Sequence, residues 1–364
     1  MLSRADRAIG RLDGCAETLP NSELFVFMYI RKEAVLSSQI EGTQTSLMDV
    51  LEFEATARPT SLDVGDVFNY VAAMNYGLGR LKTLPLSLLL IRDIHAKVLS
   101  SVRGTRDSGE FRRTQNWIGP AGSLLKDAVF VPPALHDMHN ALDNLEKFLH
   151  DKGPMPYLVR VGIAHAQVET IHPFVDGNGR LGRLLITFML CEHNILKKPL
   201  LYLSYFLKKN RTEYYDRLQA IRDSGQWEQW LKFFLSGVAE GAEEATATAR
   251  KIVQLREVHR KLVTDNLGRS AARGLSLLES LYRQPVVSMS GIKETCGLTF
   301  QGASNIAKQF SSLGILKETT GQKRHRLFAY ARYQTLLGGI GSPNPAQARY
   351  VNLTLAAQFE REPP

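Results

Sequence analysis

The chain has 364 residues, 44% hydrophobic and 22% charged, an ordinary globular composition with length for two or three domains and a sizeable core. Cys15, Cys191 and Cys296 stand far apart without metal or redox spacing, which excludes a disulfide scaffold and fits a reducing cytoplasm. The longest apolar stretches, 86–91 and 184–191, are too short to span a bilayer, and Arg4, Asp6, Arg7 and Arg11 leave no secretory apolar segment.

The expectation is therefore a cytoplasmic chain with no membrane partner. Its net charge of +9 is unevenly placed. From residue 250 onward, 17 Lys and Arg face 7 Asp and Glu, so the last third carries the whole basic excess. That is the footprint of a nucleic-acid-binding appendage on a nearly neutral remainder.

Residues 24–40 read as a helix that Gly42 closes as a C-cap. Ser37-Ser38-Gln39-Ile40-Glu41-Gly42 at its end is, taken alone, a Glu on a solvated face before a routine glycine. From 62 to 99 the spacing predicts helices, with Val67, Tyr70, Val71, Met74 and Leu78 on one face and Pro85 opening the second. His95, among Ile91, Ile94 and Val98, reads as a structural histidine. The segment 109–133 differs: Gly119-Pro120-Ala121-Gly122 is turn chemistry, and Ala128-Val129-Phe130-Val131 before two prolines reads as a short strand. His136 and His139 have the i, i+3 spacing of a metal pair, but such an isolated pair usually holds none.

The richest stretch follows. Leu158, Val161, His165, Val168 and Ile171 fall at helical spacing, so a helix delivers His172 at its C-terminal end; Leu181, Leu184, Leu185, Phe188 and Met189 restart the pattern. Between them Gly177-Asn178-Gly179 forms a turn whose N–H groups meet the next helix's positive N-terminus, an anion-binding nest. Asp176 beside such a nest would repel a polyphosphate unless a divalent cation lay between, and Mg²⁺ sits on one or two carboxylates plus phosphates. Arg180 and Arg183, one turn apart, offer two guanidinium forks for phosphate oxygens. His172 titrates near neutrality and can take a proton from an attacking hydroxyl. Two plainer readings compete. Gly177 to Gly182 matches the G-x-G-x-x-G dinucleotide pattern, but Pro173 and Asp176 interrupt the strand that pattern needs. A glycine-rich turn with solvated arginines explains any one of these residues, though not all together.

The run His172-Pro-Phe-Val-Asp-Gly-Asn-Gly-Arg-Leu-Gly-Arg183 resembles the complete Fic family signature, H-P-F-x-[D/E]-G-N-G-R-x-x-R, without departure. The family is mostly protein adenylyltransferases, which move AMP from ATP to a hydroxyl of a target protein. The resemblance implies His172 as base, Asp176 as Mg²⁺ ligand, Gly177, Asn178 and Gly179 as anion hole, Arg180 at the β-phosphate, Arg183 at the γ-phosphate and Phe174 as apolar anchor. It turns Ser37 to Gly42 into a match to the inhibitory motif [S/T]-x-x-x-E-[G/N], with Glu41 pairing with Arg183. It also implies a β-hairpin flap at Ala128, Val129 and Phe130, whose edge pairs with an extended target segment. Tyr214 and Tyr215 stand where a Tyr-Tyr pair lines the adenine pocket, while Arg222 replaces an Asn common in the family. Trp227, Trp230, Phe233 and Phe234 read as core packing.

The expected fold is mainly α: a Fic-type helical core with a β-hairpin flap, and a C-terminal winged helix-turn-helix. The boundaries are an N-terminal helical region 1–84 with the inhibitory helix, a catalytic core 85–240, a polar helical connector 241–267, a winged helix 268–335 and a tail 336–364. In the winged helix, 275–282, 290–296 and 299–310 are the helices and 313–316 and 326–330 the wing strands, with a basic tip at Lys323, Arg324, His325 and Arg326. Gln301, Ser304, Asn305 and Lys308 would face a major groove; packing against the core or another subunit is the alternative. The expected activity is AMP transfer from ATP·Mg²⁺ to a Tyr, Ser or Thr hydroxyl of a target or of the chain itself, autoinhibited by Glu41. The alternatives are AMP removal using Glu41, or a DNA-binding regulator whose Fic domain senses nucleotide. Candidate partners are a protein with an accessible hydroxyl, DNA and a second copy of the chain. Nothing in the signature reads the base of the donor.

Overall fold

The computed structural model describes residues 1–18, 22–56, 62–100, 107–119, 124–322 and 324–338. The N-terminal region holds α1 (Leu2–Thr18), α2 (Ser22–Ile40), α3 (Leu47–Thr56) and α4 (Leu62–Arg80). Next come α5 (Leu88–Val98), α6 (Leu135–His150), α7 (Tyr157–Ile171), α8 (Asn178–Glu192), α9 (Ser204–Lys209), α10 (Arg211–Ser224) and the 40-residue α11 (Trp227–Asn266). The C-terminal unit has α12 (Ala271–Arg283), α13 (Met289–Cys296), α14 (Phe300–Ser312) and α15 (Ala331–Gly338), with strands β1 (Val286–Ser288), β2 (Lys317–Glu318) and β3 (Leu327–Ala329). No helix among the described residues is long and apolar enough to cross a membrane.

The centre is α8, buried from Asn178 to Leu190 except at Gly179. A helix that is apolar on most sides belongs inside a bundle, and α8 is covered by α4, α5 and α7. The fit is close: a Cβ on Gly77 of α4 would stand 2.3 Å from the Phe188 ring. On the far side of α7 lies α11, where the Trp230 indole N–H donates to the Gly162 carbonyl at 2.9 Å. Trp230, Phe233 and Phe234 pack there as core, as the spacing predicts.

The polar connector expected over 241–267 is not a separate element. The boundary at 240 falls inside α11, about 60 Å long at the helical rise, and Ala242, Ala245 and Ala249 are buried. These small side chains let α1 lie along it, where Arg4 reaches Glu243 at 2.8 Å, and α2 touches it where the Tyr29 hydroxyl donates to the Ala245 carbonyl at 2.8 Å. A second correction concerns Pro85, which lies in a turn. Helix α5 starts later, at Leu88, where the Ser87 hydroxyl accepts the Leu90 N–H at 3.3 Å.

Buried Glu33 fixes α2. Its carboxyl accepts the Ser204 hydroxyl at 2.5 Å, the Ser204 N–H at 3.2 Å and the Tyr70 hydroxyl at 3.3 Å, tying α2 to α9 and α4.

In the C-terminal unit the sheet order is β1-β3-β2, antiparallel, with Val287 opposite Phe328 and Lys317 opposite Ala329. The three helices stand near their expected places. The strand expected at 313–316 is instead the end of α14: Gly314 turns at φ 66°, and the Ile315 and Leu316 N–H groups both donate to the Phe310 carbonyl, at 2.9 and 3.1 Å. Neither β1 nor α15 was foreseeable from the pattern, being too short to show a period. Lys323 and the tail beyond Gly338 lie outside the described residues.

Tyr330 joins this unit to α11. Its hydroxyl lies 2.6 Å from His259 Nδ1 and 3.0 Å from the Tyr282 hydroxyl, all buried. Tyr330→Phe should therefore lower stability by about 1–3 kcal/mol, the cost of stranding buried polar groups. Denaturant unfolding followed by hydrogen exchange in α12–α14 measures it.

Candidate active site

Helix α7 stops because His172 turns left-handed, at φ 48° and ψ 59°, while its N–H still donates to the Val168 carbonyl at 3.0 Å. That conformation costs a non-glycine residue about 1–3 kcal/mol and persists only where neighbours impose it. Here Arg112 does so. Its Nε donates to the His172 carbonyl at 3.1 Å, its backbone N–H donates to the Pro173 carbonyl at 2.9 Å, and its Nη2 is bonded to the Pro133 carbonyl. Arg112 is buried, and burial lowers its pKa.

The loop after His172 is fastened from several sides. Phe174 is fully buried, stacked on the His95 ring at 3.7 Å between centroids and tilted against Phe111. The Asn178 side chain accepts the Phe174 N–H at 2.9 Å and donates to its carbonyl at 2.8 Å, with Asn116 Nδ2 on that same carbonyl at 3.0 Å. His95 Nε2 donates to the Asp176 carbonyl at 2.8 Å, and its Nδ1 accepts the Gly109 N–H at 3.0 Å. That is one neutral tautomer, and burial pushes the imidazole down despite the Asp176 carbonyl and carboxylate. His95 is the structural histidine the sequence predicts, but its work is to hold the loop.

Helix α8 then opens. Gly177, at φ 79°, is its N-cap, a backbone conformation L side chains rarely adopt. The first bond of the new helix runs from the Leu181 N–H to the Gly177 carbonyl at 3.0 Å. The N–H groups of Asn178, Gly179 and Arg180 precede it and face outward, as helix starts require. Asn178 thus offers an anion its backbone only, since its amide is held by Phe174. Asp176 Oδ1 accepts the Gly177 N–H at 2.6 Å; the side chain is 67% exposed, with Oδ2 3.8 Å from Arg180.

Arg183 points the other way, into α2. Its Nε donates to the Ser37 hydroxyl at 2.7 Å, and its Nη2 donates to the Ser37 carbonyl at 3.1 Å and to Glu41 Oε1 at 2.5 Å. The guanidinium is buried; the Glu41 side chain is 37% exposed. A Cβ on Gly179 would stand 2.2 Å from Glu41 Oε1, so the carboxylate lies directly over the first turn of α8. Burial opposes its ionisation, but Arg183, Arg180 and His172 outweigh that and hold the Glu41 carboxyl below its usual range. The end of α2 is itself tethered, with Gln39 Nε2 on the Thr45 carbonyl at 2.8 Å and Lys208 Nζ on Gln39 Oε1 at 2.7 Å.

Of the adjacent tyrosines only Tyr215 reaches the surface, at 40% exposure. Tyr214 is fully buried, its hydroxyl 2.9 Å from His165 Nε2, whose Nδ1 donates to the Gly182 carbonyl at 3.0 Å. Tyr215 is therefore the ring of the pair with a face open to a ligand. Arg222 lies under the flap: its guanidinium is 3.8 Å from the Phe130 ring centre, and Nη2 donates to the Glu169 carbonyl at 2.9 Å.

The flap is shorter than the sequence predicts. A single antiparallel bridge joins Ile118 and Phe130, with the Ile118 N–H on the Phe130 carbonyl and the Val129 N–H on the Ile118 carbonyl, each at 2.8 Å. Pro132 and Pro133 offer no N–H to extend it, and a short 3₁₀ turn, Leu125–Asp127, precedes it. Ala128 is half-buried and Val129 is 65% exposed. Pro120, Ala121 and Gly122 lie outside the described residues. His136 and His139 are exposed, His136 beside Asn140, and no group of three metal-ligating residue types occurs among the described residues.

The pattern of spacing missed Arg112, Asn116, Ser37 as a partner of Arg183, and Glu169. Arg112, Asn116 and Ser37 reach partners 60, 58 and 146 residues away in the chain, and no local period marks such a contact. Glu169 is buried and its pKa is raised by that burial, opposed by Arg183 and His172. Burial lowers His172 below its usual value, with Glu169 opposing and Arg222 adding to the shift. A lowered imidazole is neutral at physiological pH, as a base must be.

A model of the Fic/DOC family N-terminal region matches residues 1–79, and a model of the Fic/DOC family matches residues 85–190, together more than half of the chain. The protein adenylyltransferase Fic of Aedes aegypti is 31% identical over 205 residues, covering 53% of this chain and 37% of that protein. Its counterpart in Culex quinquefasciatus is 30% identical over 202 residues, with the same coverage. This chain thus matches little more than a third of the length of these relatives. Among solved structures, a Fic family protein from Desulfovibrio desulfuricans G20 superposes with a TM-score of 0.58 at 17% identity, covering 90% of this chain and 95% of that one. Fic-1 (residues 134–508) of C. elegans gives 0.52 at 20% identity, covering 70% and 73%. Both are likenesses of fold.

Because Glu41 is depressed in the folded chain, its pairing with Arg183 stabilises above the ordinary carboxylate range and is lost as pH falls through the depressed value. The melting temperature of the parent should exceed that of Glu41→Gln at pH 7, and the gap should close toward pH 3. Thermal melts of both proteins across that range check it.

Proposed function

This chain belongs to the Fic/DOC family, and from that premise we propose that it transfers AMP from ATP to a protein hydroxyl and that Glu41 restrains it. The observation that carries the reading is the convergence of the His172 imidazole, the open N–H groups of α8, Asp176, Arg180 and Arg183 at one junction of α7 with α8. The name borne by the relatives, protein adenylyltransferase, agrees with it.

The triphosphate would lie along the start of α8. The Asn178 and Gly179 N–H groups donate to its oxygens, with Arg180 and then Arg183 along the leaving phosphates. The base rests on Tyr215. A target segment pairs with the flap near Val129, setting a Tyr, Ser or Thr hydroxyl in line with the α-phosphorus. His172 takes the hydroxyl proton as the oxygen–phosphorus bond forms, and pyrophosphate leaves against the two guanidiniums.

The residues fit Mg²⁺ held by one protein carboxylate. Asp176 is exposed, its Oδ2 has only the Arg180 guanidinium near it at 3.8 Å, and among the described residues no group of three ligating side chains makes an all-protein cage. Asp176 would hold the ion, which when bound neutralises phosphate charge.

Glu41 restrains this by two effects. It occupies the ground over Gly179, and it takes the guanidinium a γ-phosphate would need. A second reading, AMP removal with Glu41 orienting water, draws on that carboxylate being partly open to solvent. Release of free AMP from an adenylylated target, without added ATP, separates the two. The C-terminal unit we read as a winged helix-turn-helix. Gln301, Asn305 and Lys308 are exposed on α14, and Ser304 is partly so. Loss of DNA binding with rising salt would test a nucleic-acid partner.

ATP radiolabelled at the α-phosphate should mark protein about 10- to 100-fold more with Glu41→Gly than with the parent, a change of about 1.4–2.7 kcal/mol. Equal or weaker labelling removes Glu41 from the restraining role. Adding His172→Ala should abolish the label while calorimetry still detects ATP binding. Full labelling in that double variant excludes His172 as the base.

A further inference from the structure

Half of the large apolar side chains that reach solvent belong to the flap and the loop it sits on. Twelve are exposed among the described residues, and Trp117, Leu124, Leu125, Val129, Val131 and Val175 are six of them, 39–65% exposed. A folded chain rarely leaves such a patch beside a site unless a partner covers it. The mechanism above uses the backbone of this flap but not its side chains.

The local geometry gathers the six. Ile118 and Phe130 exchange backbone hydrogen bonds, at 2.8 and 3.1 Å, as a directly opposed pair. Successive side chains of a strand point to opposite faces. Trp117, Val129 and Val131 therefore share the outer face, all exposed, and half-buried Phe130 turns inward. Its ring lies 3.8 Å from the Arg222 guanidinium, which donates to the Glu169 carbonyl one turn before His172. Leu124 and Leu125 enter from the 3₁₀ turn, where the Leu125 carbonyl accepts the Ala128 N–H at 3.2 Å. Asn116 Nδ2 donates to the Phe174 carbonyl at 3.0 Å and the His172 carbonyl at 3.4 Å, which seats the flap on the loop beside Val175. From 114 to 133 only Lys126 and Asp127 are charged, and their charges cancel.

The open edge says what covers this face. Phe130 turns its N–H and carbonyl to Ile118, so the Val129 carbonyl and the Val131 N–H point away, where an extended chain can add as a strand. On that strand a hydroxyl residue turned inward with Phe130, toward α7, places both its neighbours outward with Val129 and Val131.

We propose that the flap selects its target by side chain: the acceptor is an extended segment whose hydroxyl residue has a large uncharged apolar residue on each side, packed on Val129, Val131 and Trp117. The inference rests on the AMP transfer proposed above. Burial of apolar surface supplies the preference. A charged flank gives up its water there and finds no partner in exchange.

The probes are fluorescein-labelled peptides with one central Tyr, Ser or Thr, flanked on both sides by leucine, glycine, aspartate or lysine. In the Glu41→Gly background, with ATP radiolabelled at the α-phosphate, the leucine-flanked peptide should take label with kcat/KM about 10-fold above its glycine counterpart, a difference of about 1.4 kcal/mol. The charged peptides should stand no higher than the glycine one. Val129→Thr together with Val131→Thr keeps the shape of both side chains and should bring the leucine peptide down to the glycine level. Equal labelling across the set, or a charged peptide in first place, overturns the proposal.

A second readout needs no transfer. With His172→Ala added to Glu41→Gly, fluorescence anisotropy should show the leucine peptide bound about 10-fold more tightly than the glycine peptide, and the paired threonine substitutions should erase that difference. Equal binding overturns the docking face even where label is transferred. Selective binding with no label on any peptide supports the docking face and removes the enzyme reading instead. A parent that sediments as a dimer, divided by Val129→Lys, assigns the face to a second copy of the chain and overturns the proposal.

Discussion

A guanidinium cannot give up its proton inside a protein, so wherever one is buried something must hold its charge. Arg183 is such a group. It sits in the middle of α8, closed off from water, and the architecture around it is a set of answers to that constraint. Ser37 supplies a hydroxyl and a carbonyl, and Glu41 supplies the countercharge. Breaking a buried pair by removing one partner is far more costly than the pair itself is worth. On the function proposed above, a triphosphate would displace Glu41 by bringing anionic oxygens to the same place, so that ligand binding and release of restraint would be one exchange. The buried Glu33 contacts to Ser204 and Tyr70 keep α2 in position.

The loop between α7 and α8 obeys a different requirement. A base, an acid and a row of N–H groups are useful only if they are already aimed, because reorganisation during reaction would use up the gain. The loop 172–177 is therefore fixed at His172, Phe174 and Asp176 by side chains from outside it: Arg112 and Asn116 on carbonyls, Asn178 on both ends of Phe174, His95 under Asp176. The left-handed turn at His172 is strained on its own, and this web of bonds is what sustains it. Polar groups that would otherwise need water are closed upon one another.

Outside the site, α11 unites the molecule. Its small residues accept α1 along the middle and meet α2 at Tyr29, its aromatic beginning supports α7, and its far end meets the C-terminal unit through His259 and Tyr330. A polar-looking sequence gave a buried helix because alanine and glycine cost little to enclose and allow backbones to approach closely.

The twelve residues 172–183 could be understood as a string because their chemistry is local. Glycine turn, helix start and guanidinium spacing are all settled within two turns of backbone, and periodicity placed the helices on either side. Glu41 could be named there only through likeness to a family. Its position over Gly179, like the Glu169 carboxyl in the space left by Gly182, follows from packing between helices distant in sequence. The burial of Tyr214 rather than Tyr215, and the reach of Arg112 to the His172 carbonyl, were likewise decided by the folded core. Backbone geometry is written over a few neighbouring residues, whereas a side chain's partner is whichever group the fold brings within about 3 Å, and no spacing rule in one dimension encodes that.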